Sequence, residues 1–473
     1  MEKDRHAQAM TGTGAEAVRH YENALECLLY FREEVNAEAE AAVAASPRSV
    51  MGNVFTAYLG LLGTEEKDAA AARRRFGEFR RSVHMPEVTP RERMHIEAAS
   101  AWLHGDIHGA GRLLGEISVS YPRDALALAV GHQIDFFTGN AVLLRDRIGG
   151  ALSAWDTDDP HYGFLLGMYG FGLEEAGHYR QSEQVALEAV ERDPRDVWGI
   201  HAVVHAYEMQ GRFADGIRYL DDRAGDWADG NYLNVHNWWH YALYALEAGR
   251  TDRVLDVYDA GLHHEGSAGV AMELLDAASL LWRLYLAGAD TGDRWAALAD
   301  AWASRKDGPY YAFNDAHAVM AYVGADRLSD ADALIRDREA WVRTADPRVS
   351  NASMTAEVGL PVCRALVAYG RRRYDEAVDL LLPLRHRLQT FGGSHAQRDA
   401  VQKTLVEAAL HAGRRDLART LLSERINLRP LCPYNWGAQA RLADQLGDPA
   451  RAAAGRRRAA EQRAAAPAIN EWL

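Results

Sequence analysis

Two stretches of this chain carry imidazoles at helical spacing. His201, His205 and Glu208 stand in His201-Ala-Val-Val-His205-Ala-Tyr-Glu208, and His236 and His240 stand in His236-Asn237-Trp238-Trp239-His240. Separations of i, i+4 and i+7 place the first three on one helix face, a turn apart. A lone histidine on an apolar face is ordinarily a core residue bonded to a carbonyl or carboxylate. A cluster is different, because each buried polar group left unpaired costs about 1–3 kcal/mol. Mutual pairing, water, a metal or a ligand must then supply the partners. H-x-x-x-H lacks the glutamate of H-E-x-x-H and is a weak metal motif alone. Doubled on facing helices with Glu208 in line, it reads as a candidate metal site.

The expected ligands are His201, His205, His236 and His240, and the expected ion is divalent, Zn²⁺, Fe²⁺ or Mn²⁺. Glu208 is the candidate general base on metal-bound water, or a further ligand. Ser394-His395-Ala-Gln397-Arg398-Asp399 follows Gly392-Gly393, so Ser394 is a candidate N-cap and His395 sits in a first helical turn, where an anion is favoured. His395 and Asp399 are further acid–base candidates, and Arg398 is a candidate for holding a substrate carboxylate. Asn237, Trp239, Trp282, Tyr311, Asn314, Asp315 and His317 complete the expected substrate-binding set, with Phe164, Phe171 and Glu174 facing the same wall. Asp276 and Arg283 read as a structural ion pair.

The elements that position these groups follow from a recurring glycine. Gly105, Gly139, Gly177, Gly211, Gly249, Gly288, Gly324, Gly413 and Gly447 mostly sit between two helical apolar patterns, and three of the steps are 34 residues long. That helix–turn–helix period is the mark of the tetratricopeptide repeat. In each clear repeat the glycine ends one helix, a small residue such as Ala186 or Ala418 lets the pair touch, and Pro122, Pro194 or Pro430 stops the second. The expected fold is all-α, a right-handed tetratricopeptide-repeat solenoid with N-terminal capping helices over residues 1–90 and one continuous array over 91–473. First helices of adjacent repeats pack about 8–10 Å apart, which brings the two histidine pairs to one inner wall. Thr89-Pro90 is expected to open the first clear repeat. Residues 345–357 are polar and poorly periodic and read as a loop, and the chain ends in a frayed tail, Asn470-Glu471-Trp472-Leu473.

Composition narrows the function. A net charge of −14 argues against nucleic acid and anionic membrane as partners. No apolar run approaches the ~18 residues of a membrane helix, and the charged N-terminus does not lead into an apolar segment. Cys27, Cys363 and Cys432 are few, odd in number and far apart, the pattern of buried thiols in a reducing, cytoplasmic setting. Only four lysines stand beside 49 arginines, which matches a GC-rich bacterial genome. Phosphate-loop, dinucleotide-binding, nucleophile-elbow and CxxC motifs are absent from the sequence.

The wording of the motifs resembles the tetratricopeptide repeat protein 38 family. The resemblance rests on His201 through Arg212, His236-Asn237-Trp238-Trp239-His240, Asp276 through Leu284, Phe313-Asn314-Asp315-Ala-His317 and Gly392 through Asp399, and spans roughly residues 90–425. It implies the repeat fold and points to the same histidines, and it brings no reaction with it.

Two functions compete. The first is an enzyme acting on a small organic substrate in a His/Glu/aromatic pocket, by metal-dependent hydrolysis or by metal-free acid–base chemistry. The second is an adaptor holding a peptide or protein partner in the concave groove. Adaptor grooves that grip peptide carboxylates use Lys, Arg and Asn, whereas this inferred wall is imidazole, carboxylate and aromatic.

Overall fold

A computed structural model of the chain describes residues 1–305, 308–467 and 469, so the terminal Asn470–Leu473 tail lies outside the described residues. The chain is an all-α tetratricopeptide-repeat solenoid. Helix pairs run from Pro90–Leu103 and Ile107–Ser120 to Pro433–Gln445 and Pro449–Ala464. Thr89 caps the helix Pro90–Leu103 as expected, its hydroxyl accepting from the Glu92 amide while Glu92 reaches back in a capping box. Most turn glycines adopt the left-handed conformation that ends a helix, from φ 64° at Gly139 to 90° at Gly105. Gly324 does not. It is the last residue of Ala312–Gly324 and packs against the Trp295 ring, and the left-handed position falls on Asp326. Arg372 takes the same role one repeat later, which is why the glycine pattern fades there.

The stretch 345–357 is not the loop that its polarity suggested. Helix begins at Ser350 and continues through a wide turn at Thr355–Gly359 into Leu360–Gly370. Its polar residues serve the tertiary structure, since Asn351 accepts from the Ala312 amide and donates to the Pro309 carbonyl.

Small rotations between repeats accumulate until the array meets itself. The Ser350 amide donates to the Gly105 carbonyl, the His395 amide donates to Glu175, and Gly211 faces the Cys432 backbone. The helix His395–His411 is buried along nearly its whole length and packs against Val197–Gln210 and Ala271–Leu286. The concave side is therefore occupied by the chain's own later turn.

The first four helices, Ala15–Leu29, Val35–Ala45, Val50–Leu62 and Glu66–Ser82, lie across the inner face. Phe31 stacks on Trp198 at 5.2 Å, Tyr30 donates to Asp193, and Asn314 donates to the Thr64 carbonyl. Their apolar faces cover the inner helices, so this segment roofs the array as well as preceding it.

Two core histidines make stability depend on pH. Burial draws His132 down to about 3 and His317 to about 4. Both are neutral in the folded chain at neutral pH and become protonated more readily once unfolded. Their contribution is complete above about pH 6.5 and is lost as pH falls toward the folded values, on the order of 5 kcal/mol for His132 and 3 kcal/mol for His317. Melting of the chelator-treated protein is expected to fall steeply between pH 6.5 and 4, and a flat profile over that window would contradict this assignment.

Candidate functional site

His201 and His205 lie on Val197–Gln210, whose start is fixed by Asp196 accepting from the Gly199 amide and whose end is fixed by Gly211. His236 and His240 lie on Asn234–Glu247 alongside. One ring nitrogen from each of the four can be chosen so that all lie within 4.8 Å of one another. The ring centroids are 4.3 Å (His201–His205) to 6.3 Å (His205–His236) apart. A tetrahedral ion with nitrogen ligands at about 2.0–2.1 Å would space its imidazole centroids by about 5 Å, the middle of that range.

Hydrogen bonding sharpens the point. Neither ring nitrogen of His201, His205 or His240 has a hydrogen-bond partner, although all three side chains are buried. His201 and His240 are held well below the ordinary imidazole pKa, by burial first and then by neighbouring imidazoles, so each is neutral with a lone pair available. Two buried carboxylates stand behind the rings. Asp276 accepts from His236 Nδ1 at 2.7 Å, and Glu174 approaches His205 Nδ1 at 3.4 Å. A carboxylate on one ring nitrogen fixes the tautomer and frees the other for a metal. Asp276 Oδ1 and both Glu174 oxygens lack well-formed hydrogen bonds, and Glu174 is shared between His205 at 3.4 Å and His395 at 3.7 Å.

The cluster borders a cavity of about 720 Å³ between the roof and the inner helices. His201, His205 and His236 line it, and His240 is absent from the lining among the described residues. Phe136, Phe164, Phe171 and Trp198 form the array side, and Leu28, Phe31 and Leu59 come from the roof. The volume suits a small organic molecule.

Other expected site residues fall elsewhere. Glu208 is outside the imidazole group and faces Arg429 at 3.6 Å, its pKa raised by burial. Asp399 sits amid Arg425 at 2.7 Å and Arg429 and Lys403 at 3.7 Å. Burial alone would raise it, yet these three cations hold it well below the carboxylate range. Both acids belong to an ionic network between superhelical turns. Arg398 is likewise engaged, by Glu175 at 3.1 Å and the Gly393 carbonyl. His395 sits 3.7 Å from Glu174 and 3.4 Å from Glu175, and these acids outweigh burial to raise its pKa. The Ser394 cap is present, in a capping box with Gln397.

The aromatic grip also moves. Trp239 and Trp282 are fully buried, donating to Ser279 and Thr404, and neither lines the cavity. Tyr311, Asn314 and Asp315 line a second cavity of about 440 Å³, where Asp315 is bonded to Arg338. His317 Nδ1 donates to the Phe313 carbonyl, and Asn237 is buried with neither amide atom hydrogen-bonded. Asp276 is bonded to His236, and Arg283 donates instead to the Ser279 and Ala396 carbonyls. Sequence reasoning thus missed Asp276 as a supporter of the histidines, although its place one repeat beyond His236 was a signal. It also missed Glu273, which lines the cavity one turn before Asp276 with a pKa raised by burial.

No protein-family model matches the chain. Among solved structures, a human IFIT1 dimer with m7Gppp-AAAA is similar at 11% identity, covering 97% of this chain and 95% of that one, with a TM-score of 0.42. Yeast Tom70 gives 12% identity, 94% and 92% coverage and a TM-score of 0.33. The APC/C hetero-tetramer Cut9–Hcn1 gives 12%, 95% and 94%, and 0.29. The likeness reaches no further than helical-repeat architecture. Among the described residues no helix is long and apolar enough to cross a membrane.

Proposed function

We propose that the chain is a metal-dependent enzyme on a tetratricopeptide-repeat scaffold, acting on a small organic molecule held in the roofed cavity. Some of His201, His205, His236 and His240 would hold a divalent transition ion and leave a coordination position open toward the cavity, with Asp276 and Glu174 orienting His236 and His205. The ion supplies Lewis-acid activation of a bound carbonyl or water. Glu273, facing the cavity with a raised pKa, replaces Glu208 as the candidate proton acceptor. The observation that carries this reading is the convergence of buried ring nitrogens without hydrogen bonds. The resemblance to the tetratricopeptide repeat protein 38 family, resting partly on the same histidine segments, is consistent with it.

The test is elemental analysis of the full chain purified without a histidine tag. Close to one equivalent of zinc, iron or manganese is the expected result. Absence of metal, both as purified and after adding back Zn²⁺, Fe²⁺ and Mn²⁺, would remove the metal centre and leave metal-free acid–base chemistry or partner binding as the working readings. An adaptor of this build would use its outer faces, because its own helix His395–His411 fills the concave side.

A further inference from the structure

On the reading that the roofed cavity is the functional site, we infer that its ligand is an uncharged, predominantly apolar molecule, with one polar end directed at the imidazoles. Three observations carry this. The cavity is lined by apolar side chains from both sides, Phe136, Phe164 and Phe171 on the array and Leu28, Phe31 and Leu59 on the roof. Among the polar lining groups, His201 and His205 carry ring nitrogens without well-formed hydrogen bonds, and His236 and Asp276 stand beside them. The third observation is charge.

Arg75 is the one guanidinium or ammonium group among the described lining residues, beside the acids Glu40, Glu65, Asp68, Glu273 and Asp276. Arg75 is already bound by Glu40, and both side chains are substantially exposed, 40% and 55%, which puts the pair at the mouth. In the metal-free chain a carboxylate, phosphate or sulfonate in the cavity would meet acids and no available protein cation. A cationic head fares no better, because Glu65 is bonded by Arg305 and the Ala271 amide, Asp276 by His236, and Glu273 by the Gly269 amide. A metal ion on the histidines would repel it further. What remains is a neutral alkyl or polycyclic body ending in a carbonyl, hydroxyl or comparable donor, the kind of group an ion at the imidazoles would polarise.

Two fluorophores that share one ring system separate charge from shape. N-phenyl-1-naphthylamine is neutral, and 8-anilinonaphthalene-1-sulfonate carries one negative charge. Titrated into the full chain, the neutral probe is expected to bind saturably at one equivalent and at least tenfold more tightly than the sulfonate. Thr56→Lys, on the partly exposed inner face of the roof, places an ammonium in the cavity and is expected to reverse that preference. Ala129→Trp, which fills the wall, is expected to weaken the neutral probe at least tenfold. Circular dichroism reports whether each variant is folded, and if either is not, the ratio of the two probes on the parent chain decides alone. Equal or tighter sulfonate binding, no neutral-probe binding, or folded variants that leave the neutral probe unaffected would overturn the inference. Neither probe requires a metal. A chain that binds the neutral probe but no ion keeps the ligand class and loses the metal centre, and a chain that binds an ion but not the probe does the reverse.

Discussion

Replacing His201 and His205 together by alanine is expected to abolish stoichiometric metal binding while leaving the helical-repeat fold intact. The two residues supply half of the imidazole set, and His205 also carries the link to Glu174. A ligand present at a thousand times its Kd stabilises the folded state by about 4 kcal/mol, so the parent chain should melt markedly higher with metal than after chelation. That difference should vanish in the variant. Without metal the comparison runs differently. The variant removes both ring nitrogens of His201 and Nε2 of His205, which have no hydrogen-bond partner, relieving about 1–3 kcal/mol for each such polar group, and also loses the His205 Nδ1 approach to Glu174. It also opens space, with a cost of similar size. The metal-free variant should therefore melt close to the metal-free parent. Thermal melts of both proteins, with and without chelator, check this, and a metal-dependent shift that survives in the variant would place the ion elsewhere.

Replacing Asp399 by alanine is expected to destabilise the chain by about 3–5 kcal/mol, the usual consequence of leaving buried cations without their counter-charge. Asp399 is 2% exposed and faces Arg425, Arg429 and Lys403. Arg429 also reaches Glu208, and Lys403 reaches Glu247 at 3.1 Å. The network ties the helix His395–His411 and the following pair to repeats some 156 to 220 residues earlier. Losing it should loosen contact between superhelical turns before any single repeat unfolds, giving a lower and broader urea transition. Metal content per folded molecule should not change, since Asp399 is not part of the imidazole group. A sharp transition at the parent's midpoint would refute the structural role, and metal loss from folded protein would return Asp399 to the site.

These two residues mark the boundary of what the sequence discloses. His201 and His205 are four apart on one predicted helix, and His236 and His240 repeat the spacing on the next. Both facts are local, and the repeat period alone sets the two helices side by side. Glu208 obeys the same local rule and still belongs elsewhere. A seven-residue step carries it two turns along the helix axis, beyond the imidazoles and opposite Arg429. Trp239 and Trp282 were legible as inner-wall aromatics, but their N–H groups find Ser279 and Thr404, so they are buried as packing and do not reach the cavity.

The sequence by itself determined the helix pairs, most of their glycine turns, the buried thiol at Cys363 and the convergence of four histidines. All depend on contacts within a repeat or between neighbours, where spacing along the chain is spacing in space. Only the tertiary structure decided that the first four helices roof the inner face, that Asp276 serves His236, and that His395–His411 fills the concave side. Those contacts join residues up to 250 apart. They depend on a small rotation summed over many repeats, a quantity that no single repeat's sequence contains.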